Sequence, residues 1–413
     1  MPILITAFII SYIDRQNVAF AKLQMVSALH MTETGFGLGS SLFFIGYILF
    51  DIPSALAVHR YGARAWLARI MCTWGIVTML LGFASAPSHF FVLRFLLGVA
   101  EAGFYPGCIY YLTLWFPQQH RVRALGIFTL GAPLGSMLGS VLGGALLDLN
   151  GKLGLAGWQW TFLMTGLPAI LMAGALLMYL PRSPREARFL SREEQDILLE
   201  AVQKKTARSV SHGNPLAALW DARVIGFGLI YLLMSTALYG VNYWLPTIVK
   251  GFGIGFTQNG LLNMIPWGLA VLLLLALPRR LKGETAVLSA ISVTALVGLL
   301  CFVLSVLAPG HTARFAAIAL GAPCVQVMYP LFWSITTRFF EGARAASSVA
   351  VINAIGLLGG FLAQNLMPWI GHVTKSAIMP MLAPAGCLAI LGLLALVGKS
   401  TLVELREPIN SAS

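Results

Sequence analysis

Two acids and two arginines stand where a hydrocarbon run should hold none. Asp14 and Arg15 fall inside "ISYIDRQNVAF", residues 10 to 20. Arg94 and Glu101 fall inside "RFLLGVAEAGFYPG". The chemistry open to such a set is capture of an anion and exchange of protons. Arginine stays charged in proteins. Burial favours a neutral carboxylic acid, and a nearby cation favours the carboxylate. A buried acid beside an arginine therefore changes its hold on a proton when an anion occupies that arginine. Helical neighbours point about 100° apart, so Arg15 shares a face with Tyr12, and Asp14 shares another with Asn17. Arg94 and Glu101 are two turns apart on one face, about 10 Å along the axis.

The elements that must position these groups are membrane spans. The chain has 413 residues, 58% hydrophobic and 10% charged, with a mean hydropathy of +0.81. Soluble domains have about a quarter of their residues charged, so the composition describes a polytopic membrane protein in a lipid bilayer. Twelve segments are long and apolar enough to cross one, at about 2–25, 37–58, 65–86, 89–114, 122–148, 158–180, 224–248, 257–279, 285–308, 312–338, 344–371 and 377–398. Asp14 then lies near the middle of a ~30 Å core. Asp14 and Arg15 each cost about 2.5–3.5 kcal/mol there, so the first helix needs partners or a wet cavity.

The net charge of +12 follows from loop arginines rather than from nucleic-acid binding. With the N-terminus inside, the inner loops hold Arg60, Arg64, Arg69, Arg121, Arg123, Arg279, Arg280, Lys282, Arg338 and Arg344. The outer loops hold little beyond Lys152, Lys250, Arg314 and Lys375. Such asymmetry places both termini in the cytoplasm. The N-terminal run lacks the basic head and small-residue cleavage site of a signal peptide, so it reads as a first span. It starts so close to Met1 that a short leader is expected to be missing before it.

Residues 181–222 are far more charged than any other stretch and separate residues 1–180 from 223–413. Ser191 and Glu194 make a capping box ahead of Ile197, Leu198, Ala201 and Val202, which predicts a short amphipathic helix packed under the two halves. Span 5 has glycine at Gly131, Gly135, Gly139 and Gly143, and span 11 has Gly356 and Gly360. Small residues at this spacing let helices approach closely, and their recurrence in the fifth span of each half suggests parallel repeats. Spans 3, 6, 9 and 12 contain no deep ionisable residue and are expected mainly to face lipid.

The second half carries polar and aromatic stripes in place of charge. They comprise Tyr231, Ser235, Tyr239 and Asn242, then Asn259, Asn263 and Trp267, then Gln326, Tyr329 and Trp333, then Asn353 and Gln364. Tyr329 and Asn353, deepest in their spans, are the cavity candidates. The first half would hold the anion and the protons, and the second would choose among substrates. A simple pore would need rings of charge or carbonyls throughout.

Other chemistry is poorly supported. The five cysteines fall in apolar segments without a CxxC pair, and the seven histidines make no HxxxH or HExxH. Neither a metal site, a cofactor loop nor a nucleophile–base pair is present in the sequence, so neither an enzyme nor a cofactor is expected. A sensor retaining the fold without transport would lack cavity charge or add a long domain, and this chain does neither.

With those residues in view, the chain resembles the anion:cation symporter branch of the major facilitator superfamily. The likeness rests on "YIDRQNVAFA", "FFIGYILFDIPSAL", "RFLLGVAEAGFYPG", "GWQWTFLMTGLPAI", "LPRSPREARFLSREEQ", "YWLPTIVKGFG" and "VINAIGLLGGFLAQNLMPWIG", which cover essentially the whole chain. It implies an all-α membrane fold of twelve helices in two six-helix bundles around a central cavity. It also implies a monomer in the cell's inner membrane that imports a small organic anion with protons. By the same resemblance Arg15 binds the substrate carboxylate, Asp14 and Glu101 carry protons, and Tyr47 and Asn353 line the cavity. Arg94 is expected to be a gating or structural charge near the outer surface.

The loop after span 2 reads "ALAVHRYGAR" and departs from that branch. His59 stands where an aspartate is usual, while Arg60, Gly62 and Arg64 remain, the two arginines as gate charges. The later copy, "LPRRLKGET", also lacks the acid. Asp51 is one methylene shorter than the glutamate often found at its position. A weaker likeness of "LGAPLGSMLG" to an antiporter motif keeps a proton-driven exporter as the alternative.

Overall fold

A computed structural model of the chain describes residues 1–187, 190–206, 220–277, 281, 283–340 and 345–404. Arg279, Arg280, Lys282 and Arg344, with linker residues 188, 189 and 207–219, lie outside the described residues, as does the side chain of Arg338. Fifteen α-helices carry the fold among the described residues. They are α1 (Pro2–Ala28), α2 (Glu33–Tyr61), α3 (Ala63–Leu81), α4 (Pro87–Glu101), α5 (Phe104–Trp115), α6 (Gln118–Thr129), α7 (Gly131–Leu147), α8 (Gly157–Tyr179), α9 (Arg192–Thr206), α10 (Ala222–Lys250), α11 (Phe256–Ala276), α12 (Glu284–Leu307), α13 (His311–Phe339), α14 (Ala345–Thr374) and α15 (Leu382–Glu404). They provide 12 stretches long and apolar enough to cross a membrane. Span 4 is made of α4 and α5, span 5 chiefly of α6 and α7, and α9 is the linker helix.

The chain divides into two compact units, Met1–Ser211 with Gly255–Leu261, and His212–Ile254 with Leu262–Ser413. The first turn of α11 joins the first unit because Asp148 accepts from the Thr257 amide (2.9 Å) and hydroxyl (2.6 Å).

Glycine sets the close approaches within the first unit. All four glycines of the α7 stripe face α1. A methyl group at Gly135 would stand 2.5 Å from Tyr12 Cβ, one at Gly139 3.0 Å from Gln16 Cβ, and one at Gly143 2.7 Å from the Phe20 ring. This packing uses one side of α1 and turns Arg15 away from α7. On the other side α2 crosses α4 at Gly46 and Gly98. A methyl on Gly46 would strike the Phe95 carbonyl, and one on Gly98 the Phe43 carbonyl. In the second unit Gly356 lies under the Tyr231 ring, and Gly359 against the Leu232 carbonyl, so α14 packs tightly on α10.

Gly98→Ala is expected to lower the melting temperature of the purified protein, because a backbone carbonyl cannot swing aside as a side chain can. Overpacking of this kind costs about 1–3 kcal/mol. Gly126→Ala, with open space around it, should melt as the native chain does. Equal melting of the two variants would refute the crossing.

The capping box forms as expected. Ser191 N–H donates to Glu194 Oε2 (2.8 Å), and Glu194 N–H donates to Ser191 Oγ (3.2 Å). Helix α9 lies along the first unit, where Ile197, Leu198 and Ala201 face Trp115, Phe116 and Ile127 across a cavity of about 700 Å³.

One expectation needs correction. Span 4 is read as one helix over 89–114, but the chain breaks between Glu101 and Phe104. Pro106 has no N–H to give the Ala102 carbonyl, and Gly103 takes the left-handed conformation at φ +80°. Spans 3 and 6 each give a buried threonine, Thr78 or Thr165, to the core.

Candidate functional site

The centre of the site is Arg15, on the face of α1 that the glycine stripe leaves to α2 and α4. Its Nε and Nη2 both donate to Glu101 Oε1, at 3.0 and 2.6 Å. The Arg15 side chain is 20% exposed and that of Glu101 1%. Glu101 Oε2 is buried without a hydrogen-bond partner among the described residues. Three rings surround the guanidinium, with Tyr12 at 5.3 Å, Phe43 at 5.7 Å and Tyr47 at 5.7 Å from its carbon. Each is within range of cation–π attraction. Tyr12, Arg15, Tyr47 and Glu101 thus come together from three helices, and Phe43 joins them.

Phe43 is also the link to Arg94, whose guanidinium carbon lies 5.1 Å from the same ring. Arg94 is 4% exposed, and its Nη2 donates to the Ser40 carbonyl at 3.1 Å. Its stem and head are taken up by the α2–α4 packing.

Asp14 projects from a different face of α1, as the 100° step between neighbours requires. It is 2% exposed. Asn17 Nδ2 donates to Asp14 Oδ1 (2.8 Å) and to Thr165 Oγ1 (3.0 Å), while Thr78 Oγ1 reaches Asp14 Oδ2 at 3.3 Å. An acid held by neutral donors and an arginine held by an acid therefore occupy different faces of one helix.

The residues expected at the gate lie around the α2–α3 turn. Arg60 is over the Tyr61 ring at 5.5 Å, and Arg64 Nη2 donates to the Leu177 carbonyl. His59, in the place of the usual aspartate, packs on Tyr110 with ring centroids 4.1 Å apart. In the second unit Tyr329 donates from its hydroxyl to Ser235 Oγ (3.2 Å) and meets Tyr231 edge-on at 5.5 Å. Asn353 is half-buried on α14.

Sequence reasoning passed over Lys22. It is buried two turns after Arg15, and its Nζ is 2.6 Å from Glu33 Oε2 at the start of α2. The signal was the seven-residue spacing from Arg15. Breaking a fully buried ion pair costs about 3–5 kcal/mol, but the Glu33 side chain is 47% exposed, so Glu33→Gln is expected to cost nearer ~1 kcal/mol. The double variant Lys22→Met/Glu33→Gln should recover the melting temperature, because an apolar replacement leaves no buried charge. A double variant no more stable than Glu33→Gln would refute the pair's role.

Twelve apolar spans enclosing buried charge define a multi-pass membrane protein. The chain belongs to the Major Facilitator Superfamily, whose pattern matches residues 4–364. It is 38% identical over 414 residues to a protein of Agrobacterium vitis named "Putative tartrate transporter", covering 98% of this chain and 94% of that one. It is 40% identical over 365 residues to the "Quinolone resistance transporter" of Acinetobacter baumannii, covering 88% and 84%. Among solved structures, a bacterial homologue of the lysosomal transporter Spinster matches with a TM-score of 0.76 at 16% identity, over 97% and 96% of the two chains. The inward-open xylose transporter XylE from E. coli matches with a TM-score of 0.73, also at 16% identity, over 95% of each. The protein is thus a transporter of small molecules and not an enzyme.

Proposed function

We propose that this transporter imports a small organic anion together with protons, in the manner of the anion:cation symporters. The observation that carries the reading is the Arg15–Glu101 pair. In a membrane span the Arg15 guanidinium directs Nε and Nη2 at one carboxylate oxygen of Glu101, and the other oxygen is buried without a hydrogen-bond partner among the described residues. A substrate carboxylate has the shape to replace Glu101 on that fork. Glu101, displaced into a buried place, then takes a proton, so anion and proton enter the cycle together. Tyr12 and Tyr47 flank the bound carboxylate. Asp14 is the second proton site, while Tyr329 and Asn353 supply selectivity from the other half. Arg60, Arg64 and Arg94 hold charge at the gate and in the packing. The loop arginines favour both termini in the cytoplasm, and we take the protein to be a monomer in the inner membrane.

Tartrate is the first acid to try, given the relative named for it. Uptake of radiolabelled tartrate and other hydroxy, sugar and aromatic acids should rise with an inward proton gradient and collapse with an uncoupler. Uptake indifferent to the gradient would remove the coupling. A second reading, proton-driven export, is favoured by the relative named for quinolone resistance. Accumulation in inverted vesicles with an acidic lumen, driven by protons leaving it, would support it.

A further inference from the structure

The break in span 4 leaves two backbone groups to be satisfied inside the membrane, and α2 satisfies both. The Ala102 carbonyl would normally accept from the residue four further on, which is Pro106 and has no N–H. Ser54 Oγ donates to it instead, at 2.7 Å. The Gly103 N–H, turned out of the helix at φ +80°, donates to Asp51 Oδ1 at 3.1 Å. Asp51 and Ser54 are three residues apart and so share one face of α2. Ser54 is fixed in turn, because Trp66 Nε1 donates to its Oγ at 2.9 Å. A methyl on Gly103 would collide with Ser54. Helix restarts at once, with Gly107 N–H donating to the Gly103 carbonyl at 2.9 Å.

Glu101 is the last residue of α4, directly before this junction. Its position against Arg15 depends on where α4 ends. We infer that Asp51 and Ser54 form a latch on the broken helix, and that Asp51 is a positioning residue for Glu101 through the Gly103 amide. An unsatisfied amide or carbonyl in a membrane interior costs several kcal/mol, so the break persists only while both caps hold. The acid at position 51 thus acts as a hydrogen-bond acceptor for a hinge. This assignment rests on the proposed function only in saying what Glu101 is positioned for.

Hydrogen exchange of the full chain in nanodiscs, followed in peptides covering residues 99–108, tests the latch without any substrate. Asp51→Ala and Ser54→Ala should each speed exchange there by about tenfold, the worth of one hydrogen bond. Asp51→Asn retains an acceptor oxygen and should exchange as the native chain does. Peptides from α7 and α8 should be unchanged in all three. Exchange unaltered in both alanine variants would overturn the latch, as would an asparagine variant as open as the alanine. If Asp51→Ala fails to fold, Ser54→Ala and Asp51→Asn decide the matter by the same measure.

A second readout separates positioning from mere support. For tartrate uptake, Asp51→Ala should shift KM about tenfold, downward if Glu101 then competes less for Arg15, with Vmax per folded molecule nearly kept, and Asp51→Asn should restore KM. An unchanged KM beside faster exchange would leave a structural cap and overturn the positioning role. A native chain that ignores every acid tried would count against the substrate class alone, because the exchange result stands by itself.

Discussion

Arg15→Lys should weaken binding of the carried anion by about 10–100-fold while the protein still folds. Arg15 presents Nε and Nη2 to one carboxylate oxygen, a planar arrangement that an ammonium cannot reproduce. A charge-assisted hydrogen bond contributes about 1.5–3 kcal/mol, and every 1.4 kcal/mol is about tenfold in affinity. Losing one of two such bonds sets the range. The three rings around the guanidinium lie 5.3–5.7 Å from its carbon, and they would hold a compact ammonium less well. Folding survives because a lysine still neutralises Glu101. Arg15→Ala would not serve, since it strands a buried carboxylate at a cost of about 3–5 kcal/mol. The measurement is a thermal-shift screen of organic acids against native and variant protein, then titration of the acid that stabilises the native chain. Equal affinity in the lysine variant would exclude Arg15 from the site.

The charges were legible because ionisable residues are rare in spans, and the side each faces followed from the helical step alone. Asn17 does reach Asp14, and Tyr12 does flank Arg15. The α7 glycine stripe was legible as a close packing, although only the fold gives α1 as its partner. What escaped reading depends on contacts between distant segments. Thr78 and Thr165 are common residues in bland spans, and nothing in either segment announces that both meet around Asn17 and Asp14. The break in span 4 had a local signal in "GFYPG", where a proline four residues after an alanine removes that alanine's partner. Hydropathy over a window averages such a signal away, because both sides of the break are apolar. Lys22 was hidden by its nearness to a loop, where a lysine is usually a solvated end rather than a buried partner of Glu33.

Asp14→Asn should abolish proton-driven accumulation of the anion while leaving exchange of internal for external anion nearly intact. The two faces of α1 make this separation possible. The anion's fork belongs to Arg15 and Glu101, and Asp14 is held on the other side by Asn17 and Thr78. The amide has the size of the acid and still offers an oxygen to Asn17 Nδ2, so packing at a residue 2% exposed is preserved. It can neither bind nor release a proton in the working range. A cycle that requires a proton to leave from that place stalls with the carrier loaded. An exchange cycle, which returns loaded in both directions, does not need that step. Counterflow in proteoliposomes measures the exchange, and uptake against an imposed proton gradient measures the accumulation. Accumulation retained in Asp14→Asn but lost in Glu101→Gln would transfer the whole coupling to Glu101 and leave Asp14 as a polar tie between α1 and α3. Loss of both activities in Asp14→Asn, with a native melting temperature, would mean that the two faces of α1 are not independent.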